Sequence, residues 1–259
     1  MESMTAGMII MERLIEEIGR LKKTEIGKII RKKMREFREK RKNERTVFSE
    51  LCFCLLTANS SAEMGIKVQD AMDKKNGFEM LSEEELRDKL RKLGYRFYNV
   101  RAKYIIGARK HKENVWAMIK EAENEFDLRE WLVDNIKGFG YKEASHFLRN
   151  IGFENVAILD RHILRTLYEN GLIDDEGIPK TLNGKKYTEY ERKMERICPL
   201  TGLPQGELDF YLWYVKNHRS KTGGLFLTDR DSTVLGITSV TTGRRPVESL
   251  DLKTGKVLK

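Results

Sequence analysis

Apolar residues recur with helical spacing along most of this chain. Segments 8–23 (MIIMERLIEEIGRLKK) and 26–45 (IGKIIRKKMREFREKRKNER) carry them three or four residues apart, which predicts two amphipathic helices. Residues 47–58 (VFSELCFCLLTA) are apolar almost throughout, with Glu50 as the exception, which predicts a buried helix. The alternation typical of strands does not occur before about residue 220. The pattern therefore predicts an all-α body.

Capping residues predict where several helices begin and end. Ser60 or Ser61 can cap a helix with Glu63 in its first turn, and Ser82 with Glu85 forms a Ser-x-x-Glu capping box. Further helical stretches, three of them stopped by a glycine, are 98–122, 128–138, 142–152, 160–171, 191–200 and 205–217.

The composition changes after residue 216. The segment 217–253 is rich in Thr, Ser, Gly and Val, which predicts short strands and turns. We interpret it as an insertion that is atypical of the helical body formed by residues 1–216.

Charge and cysteine content narrow the class of protein. The 259 residues include 49 Lys and Arg against 40 Asp and Glu, a formal charge of +9, which favours a polyanionic partner such as nucleic acid. Cys52 and Cys54 lie in an apolar run far from Cys198, so we interpret the pair as core residues and predict no metal site. Without a signal peptide or membrane-spanning run, we expect a soluble, cytoplasmic protein.

Residues 138–145 (GFGYKEAS) form the most informative motif. Gly138 and Gly140 allow positive φ and leave backbone N–H groups uncovered before a helix that starts near Lys142. Such a turn can bind a phosphate, or it can be a simple corner between two helices. Asp160 begins a later helix, where it could be an ordinary cap. It lies eighteen residues after Lys142. The two could form a plain salt bridge, or a nucleophile and its electrostatic partner.

Together these residues resemble a known family. The stretch LVDNIKGFGYKEASHFL with VAILDRH is similar to the helix–hairpin–helix and following aspartate of the endonuclease III superfamily of DNA glycosylases. Lys142, Asp160 and His162 match its G-x-G-x-K and Asp-x-His pattern. The clustered iron–sulfur cysteines of endonuclease III are absent. Residues 8–216 and the terminal TGKVLK look most like the small archaeal 8-oxoguanine DNA glycosylase/AP lyases.

The resemblance implies a two-lobed fold and a covalent mechanism. Two helical lobes would face each other across a basic cleft, with the N-terminal helices joining the C-terminal ones in one lobe. Lys142 would attack C1′ of the damaged nucleotide and form a Schiff base, after which β-elimination nicks the strand. Asp160 would stabilise the positive charge on the sugar. A lysine nucleophile must be partly neutral, so we expect poorly solvated surroundings.

The resemblance also implies a set of DNA contacts. The damaged base must leave the stack. Asn59 matches the residue that fills the gap, and Tyr95, Arg96 and Phe97 match residues that contact or wedge beside the opposite base. Core packing is the alternative for the two aromatic residues.

A third group would recognise the base. Asp209 and Trp213 lie four residues apart on one helix face. In the family the carboxylate of the last residue, here Lys259, accepts a hydrogen bond from N7–H of 8-oxoguanine, whereas N7 of guanine is an acceptor. Residues 254–259 would thus complete the base pocket. If segment 217–253 loops out with its ends close together, Lys259 reaches it; otherwise the Lys142 chemistry survives without this contact.

We therefore predict an enzyme that excises 8-oxoguanine from duplex DNA and then cleaves the strand. The alternatives are a glycosylase for oxidised pyrimidines and a non-catalytic helix–hairpin–helix DNA-binding module. We expect a nucleoid-associated monomer that needs no cofactor, although the hairpin carbonyls could hold a monovalent cation beside a phosphate.

Overall fold

The helical prediction is confirmed. The structure, a computed structural model, describes residues 2–173, 182–218, 249–251 and 256–258. The helices in this part of the chain are α1 (Glu2–Leu21), α2 (Glu25–Lys40), α3 (Glu44–Thr57), α4 (Ala62–Asp73), α5 (Gly77–Met80), α6 (Glu83–Lys92), α7 (Tyr98–Arg109), α8 (Lys112–Glu121), α9 (Glu125–Asn135), α10 (Tyr141–Asn150), α11 (Arg161–Glu169), α12 (Gly184–Glu195), α13 (Cys198–Thr201) and α14 (Gln205–His218).

Near the C-terminus two short strands pair. Strand β1 (Ser249–Asp251) runs antiparallel to β2 (Lys256–Leu258), with Leu250 opposite Val257. The end of the predicted insertion therefore pairs with the predicted tail. The rest of the insertion, apart from the end of α14, lies outside the described residues, as does Lys259.

Local capping explains where the helices start. Ser61 accepts a hydrogen bond from Met64 N and begins α4, and the capping box of Ser82 and Glu85 begins α6, both as predicted. The start of α3 lies three residues earlier than predicted because the Asn43 side chain caps it. Asn183 caps α12 in the same way, so this helix begins at Gly184, before the predicted stretch 191–200. That stretch is confirmed in part, because it covers the end of α12, which ends at Glu195, and most of α13.

The chain divides into two compact units. We call Met34–Ile158 the central unit, and Met1–Lys33 together with Leu159–Lys259 the terminal unit. In the terminal unit, α1 packs on α13 and α14, α11 packs on α14, and α12 packs on α13.

Helix α3 supplies the middle of the core of the central unit. It packs against α4, α7, α8 and α10, and the predicted core residues Cys52 and Cys54 are fully buried within it. Burial raises the pKa of both thiols well above the usual value, so they remain protonated. Glu50, the one charged residue predicted in this buried helix, is ion-paired with Lys40 and accepts a hydrogen bond from Asn150 (2.7 Å). Its burial is therefore compensated.

Candidate active site

The hairpin between α9 and α10 requires glycine at its first position. Gly138 has a φ of 101°, a conformation that L side chains rarely adopt. A Cβ there would lie 2.5 Å from Cδ2 of Tyr104 and 3.1 Å from Cδ2 of Leu55. Backbone conformation and close packing on α7 and α3 therefore both exclude a larger residue.

The second glycine does not adopt the positive φ that its residue type allows. Gly140 has φ −111° and ψ −175°, an extended conformation open to any residue, and an added Cβ would meet only Oε2 of Glu143 at 3.4 Å. Gly140 is the N-cap of α10, and no side chain of the described residues caps that helix. The first intrahelical bond runs from Ala144 N to Gly140 O (2.9 Å). The N–H groups of Lys142 and Glu143 precede it, and no side chain of the described residues accepts from them, as predicted.

Lys142 is the second residue of α10. Its side chain is 39% exposed, and Nζ lies 3.3 Å from Oε1 of Glu143. The poorly solvated surroundings that we predicted for this amine are therefore not observed, because the amine reaches solvent and contacts a carboxylate. Lys142 thus lies in the first turn of the helix, with its amine ion-paired to the next residue along the chain.

His146 lies one turn after Lys142, so both side chains project from the same face of α10. Its ring contacts Phe53 edge-on, with centroids 5.9 Å apart. Desolvation lowers the pKa of His146 well below 6.5, and the positive charges of Arg149, Lys142 and Lys40 lower it further. A neutral imidazole therefore lies beside the lysine. The sequence analysis missed it, although the four-residue spacing was a signal.

Asp160 is the N-cap of α11. Its Oδ1 accepts hydrogen bonds from the N–H groups of His162 (2.8 Å) and Ile163 (2.9 Å). Among the residues that the structure describes, Oδ2 accepts no hydrogen bond. The capping interpretation is thus confirmed, and it fixes the carboxylate with one oxygen unused. Asp160 belongs to the terminal unit and Lys142 to the central unit.

Asn59 occupies the short loop between α3 and α4. It has a φ of 59°, in the left-handed region that Asn tolerates better than most residues, and its side chain is exposed. Arg96 donates a hydrogen bond to its carbonyl (3.3 Å). The structure therefore brings together the predicted gap-filling residue and one of the residues predicted beside the opposite base.

The prediction that Tyr95 contacts or wedges beside DNA is wrong. Its side chain is 1% exposed, and its hydroxyl donates to the carbonyl of Leu56 (2.6 Å). A ring so deeply packed cannot reach a base, and the core alternative applies. Phe97 is only partly buried, with the Arg96 guanidinium 4.4 Å from its ring centroid. Arg96 and Phe97 are thus available at the surface.

The proposed base-recognition residues are described only in part. Asp209 is buried and Trp213 is partly buried, both on α14 in the terminal unit. Their spacing places them on one helix face. The third member, Lys259, lies outside the described residues.

No group of three or more His, Cys, Asp or Glu side chains in the described residues could hold a metal ion. None of the described helices is long and apolar enough to cross a membrane.

Known proteins resemble this chain over most of its length. Residues 30–203 match the model of the family described as 8-oxoguanine DNA glycosylase. The 8-oxoguanine DNA glycosylase/AP lyase of Methanocaldococcus jannaschii is 52% identical over 204 residues, which cover 78% of this chain and 96% of that protein. The protein of the same name from Korarchaeum cryptofilum is 47% identical over 203 residues, covering 78% of this chain and 95% of the relative.

Solved structures of 8-oxoguanine DNA glycosylases also resemble this chain. The crystal structure of the M. jannaschii 8-oxoguanine glycosylase/lyase in complex with 15mer DNA containing 8-oxoguanine matches with a TM-score of 0.74 at 49% identity, covering 81% of this chain and 100% of that one. The 8-oxoguanine DNA glycosylase of Thermotoga maritima matches with a TM-score of 0.73 at 40% identity. The resemblance inferred from the hairpin, Lys142 and Asp160 is confirmed, and the chain belongs to the 8-oxoguanine DNA glycosylase family.

Proposed function

We propose that this protein excises 8-oxoguanine from duplex DNA through a covalent bond to Lys142 and then cleaves the strand by β-elimination. The observation that carries this proposal is the placement of Lys142 in the uncapped first turn of α10, directly after the hairpin. The names of the relatives support the same activity, because both curated proteins are called 8-oxoguanine DNA glycosylase/AP lyase.

The hairpin binds the DNA backbone in this proposal. The uncovered N–H groups at the start of α10 and the positive end of the helix dipole suit a phosphate oxygen. Binding of that phosphate brings the sugar within reach of the Lys142 amine, one residue into the helix. The glycines serve two purposes, since Gly138 makes the turn and Gly140 leaves the amides accessible.

The covalent step begins at the sugar. The Nζ lone pair of neutral Lys142 forms a bond to C1′, and the bond from C1′ to the base breaks, so the base leaves with that electron pair and takes up a proton. The negative charge of Asp160 stabilises the positive charge that develops on the sugar. Opening of the sugar ring gives the Schiff base. Loss of a proton from C2′ then expels the phosphate at C3′ and nicks the strand.

Other residues hold the opened duplex. We propose that Asn59 fills the space that the extruded base leaves, and that Arg96 and Phe97 contact its former partner. Arginine can donate two hydrogen bonds to a base edge, and an aromatic ring can stack on a base. His162 and the two hairpin glycines contribute contacts to the DNA backbone.

Base recognition is assigned to the terminal unit. Trp213 offers a stacking surface for a purine and Asp209 lies one turn away on α14. The terminal carboxylate of Lys259 would accept a hydrogen bond from N7–H, which guanine lacks. We further propose that the protein acts as a monomer on nucleoid DNA, which light scattering with and without a duplex would check.

Borohydride trapping tests the proposal. A duplex with one 8-oxoguanine opposite cytosine, incubated with protein and borohydride, should give a covalent adduct, and Lys142→Gln should abolish both adduct and nicking. Lys120→Gln is the matched control, because it removes the charge of an exposed lysine in α8 of the same unit. Full nicking by Lys142→Gln would refute the assignment of the nucleophile.

A set of substrates separates the alternatives. An adduct on a plain abasic site without one on 8-oxoguanine would retain the lyase and refute the lesion assignment. An adduct on an oxidised pyrimidine alone would identify the endonuclease III-like alternative. Binding without base release or adduct on any of these duplexes would leave only a DNA-binding module.

A further inference from the structure

The loop that carries Asn59 is fixed by a row of hydrogen bonds from one short segment. Three carbonyl groups at the end of α3 and in the loop accept bonds from side chains at or near the start of α7. Tyr95 donates to Leu56 O (2.6 Å), Arg101 to Ala58 O (2.8 Å) and Arg96 to Asn59 O (3.3 Å). In each bond the donor and the acceptor lie about forty residues apart in the sequence. The bonds therefore fix where the loop lies in the fold, not its local secondary structure.

The loop is also fixed from its other side. Ser60 N donates to Thr57 O (3.0 Å), and the Ser61 side chain caps α4. Asn59 lies between these bonds in a left-handed conformation, which a non-glycine residue retains only when its surroundings enforce it. The backbone on both sides of Asn59 is therefore held, whereas its side chain is exposed.

Arg101 is the donor best suited to hold this loop. It is 8% exposed, so its guanidinium is shielded from water, where a charged hydrogen bond is stronger. The guanidinium also lies 5.4 Å from the ring centroid of Tyr104, the ring against which Gly138 packs. Arg101 thus connects the Asn59 loop to the residue that supports the hairpin. By contrast, Arg96 is exposed, and its bond to the loop is longer.

We propose that Arg101 is a positioning residue for base extrusion: its bond to Ala58 O holds Asn59 in the conformation that fills the gap in the duplex. The proposal rests on the proposed function. Because it is buried, Arg101 acts through the loop and not by contact with DNA. Its effect should therefore depend on the lesion being paired, because only then does extrusion break a base pair and leave an orphan base beside the gap that Asn59 fills; a residue needed only for folding would not show this dependence.

Arg101→Met tests this role, since methionine retains much of the apolar stem and removes every donor. We expect base release from 8-oxoguanine opposite cytosine, in single-turnover reactions, to slow about tenfold, as loss of a charged hydrogen bond implies. With the same lesion opposite an abasic site, the rate should match that of the unaltered protein. Arg101→Lys, which can still donate to Ala58 O, should recover part of the rate on the paired duplex and covers the case in which methionine prevents folding.

Two further variants test whether Arg101 acts through Asn59. In an Asn59→Gly background, Arg101→Met should cause no additional loss, because the side chain that it positions has been removed. Arg109→Met is the matched control, since Arg109 is on the same helix and donates to another carbonyl, Phe78 O (2.5 Å), away from the Asn59 loop. It should release base at the normal rate from both duplexes.

Borohydride trapping on a preformed abasic site distinguishes this proposal from the function on which it rests. No adduct with the unaltered protein would refute the proposed function. An adduct with both proteins, together with equal slowing of Arg101→Met on paired and unpaired lesions, would overturn the positioning role alone. Additive losses with Asn59→Gly, or no loss on the paired duplex, would overturn it as well.

Discussion

The two helices that carry the proposed catalytic residues begin in opposite ways. At α11, both hydrogen bonds to the cap come from the helix itself: Oδ1 of Asp160 accepts from two first-turn amides at 2.8 and 2.9 Å. At α10, the cap residue is Gly140, and no described side chain accepts from the corresponding amides. One helix start is satisfied internally, whereas the other remains open to an external acceptor.

This difference matches the tasks that we propose for the two positions. Capping fixes the orientation of the Asp160 carboxylate, and an oriented charge stabilises a developing cation without reorganisation. The open amides of α10 instead suit a phosphate. The same physical feature, the unpaired N–H groups of a helix start, orients a side chain in one case and binds the substrate in the other.

The largest effect that would test this comparison is expected for Asp160→Asn. The Asn side chain caps about as well as Asp, because its carbonyl oxygen accepts the same two bonds, but the negative charge is lost. We expect base release to slow by about a hundredfold or more while the thermal midpoint stays unchanged. Single-turnover kinetics and a melting curve on one preparation would measure both.

Asp160→Ala is the control for the cap itself. It removes both cap and charge, so it should lower the free energy of unfolding by about 1 kcal/mol while losing no more activity than Asp160→Asn. Normal base release by Asp160→Asn would show that Asp160 only caps α11, and the contrast between the two helix starts would then have no catalytic meaning.

A cap introduced at α10 should have an intermediate effect. The extended backbone and the free space at Gly140 admit a side chain, so Gly140→Ser should fold normally and place a hydroxyl oxygen on the first-turn amides. Because that oxygen competes with phosphate, we expect duplex affinity to fall by up to about tenfold, as loss of a hydrogen bond to a charged group implies. A binding titration at fixed salt concentration would measure it.

Alanine variants at the two glycines separate the causes. Gly140→Ala adds the Cβ without the capping oxygen, so it should bind DNA more tightly than Gly140→Ser although it is about 1 kcal/mol less stable. Gly138→Ala should instead destabilise the fold, because its backbone is left-handed and the added Cβ meets Tyr104. Equal DNA affinity of Gly140→Ser and Gly140→Ala would argue against phosphate binding by these amides.

Local signals in the sequence were enough to predict most of the helices and several of their starts. The helical spacing of apolar residues and the capping residues predicted α4, α6 and α11, because a helix start depends on residues within one turn of it. The match of Lys142 and Asp160 to a family pattern predicted the family for the same reason, since the pattern is contained in a short stretch.

Contacts between distant residues were not predictable in this way. Nothing near Tyr95 in the sequence shows that its hydroxyl reaches Leu56 O, so a core residue was predicted to contact DNA. Arg101 was overlooked because its acceptor lies forty-three residues earlier. At Gly140 the residue type allowed positive φ, whereas the backbone is extended; glycine allows several conformations and selects none.

The smallest effect concerns how α10 is held without a cap. Its first residue, Tyr141, donates a hydrogen bond to Oε2 of Glu130 on α9 (2.5 Å), so the helix start is fixed to the neighbouring helix by a side chain that is not a cap. This bond, followed by desolvation, raises the pKa of Tyr141 from 10.0 to about 12. The folded protein then keeps a proton that the unfolded chain loses, so the stabilisation is complete below pH 10 and disappears as the pH rises towards 12.

Tyr141→Phe should remove this alkaline dependence and, since the site is largely exposed, lower the free energy of unfolding at neutral pH by less than about 1 kcal/mol. Urea titrations between pH 8 and about pH 11, with Tyr168→Phe as an exposed control, would measure it; an unchanged slope in Tyr141→Phe would mean that α10 is held in some other way.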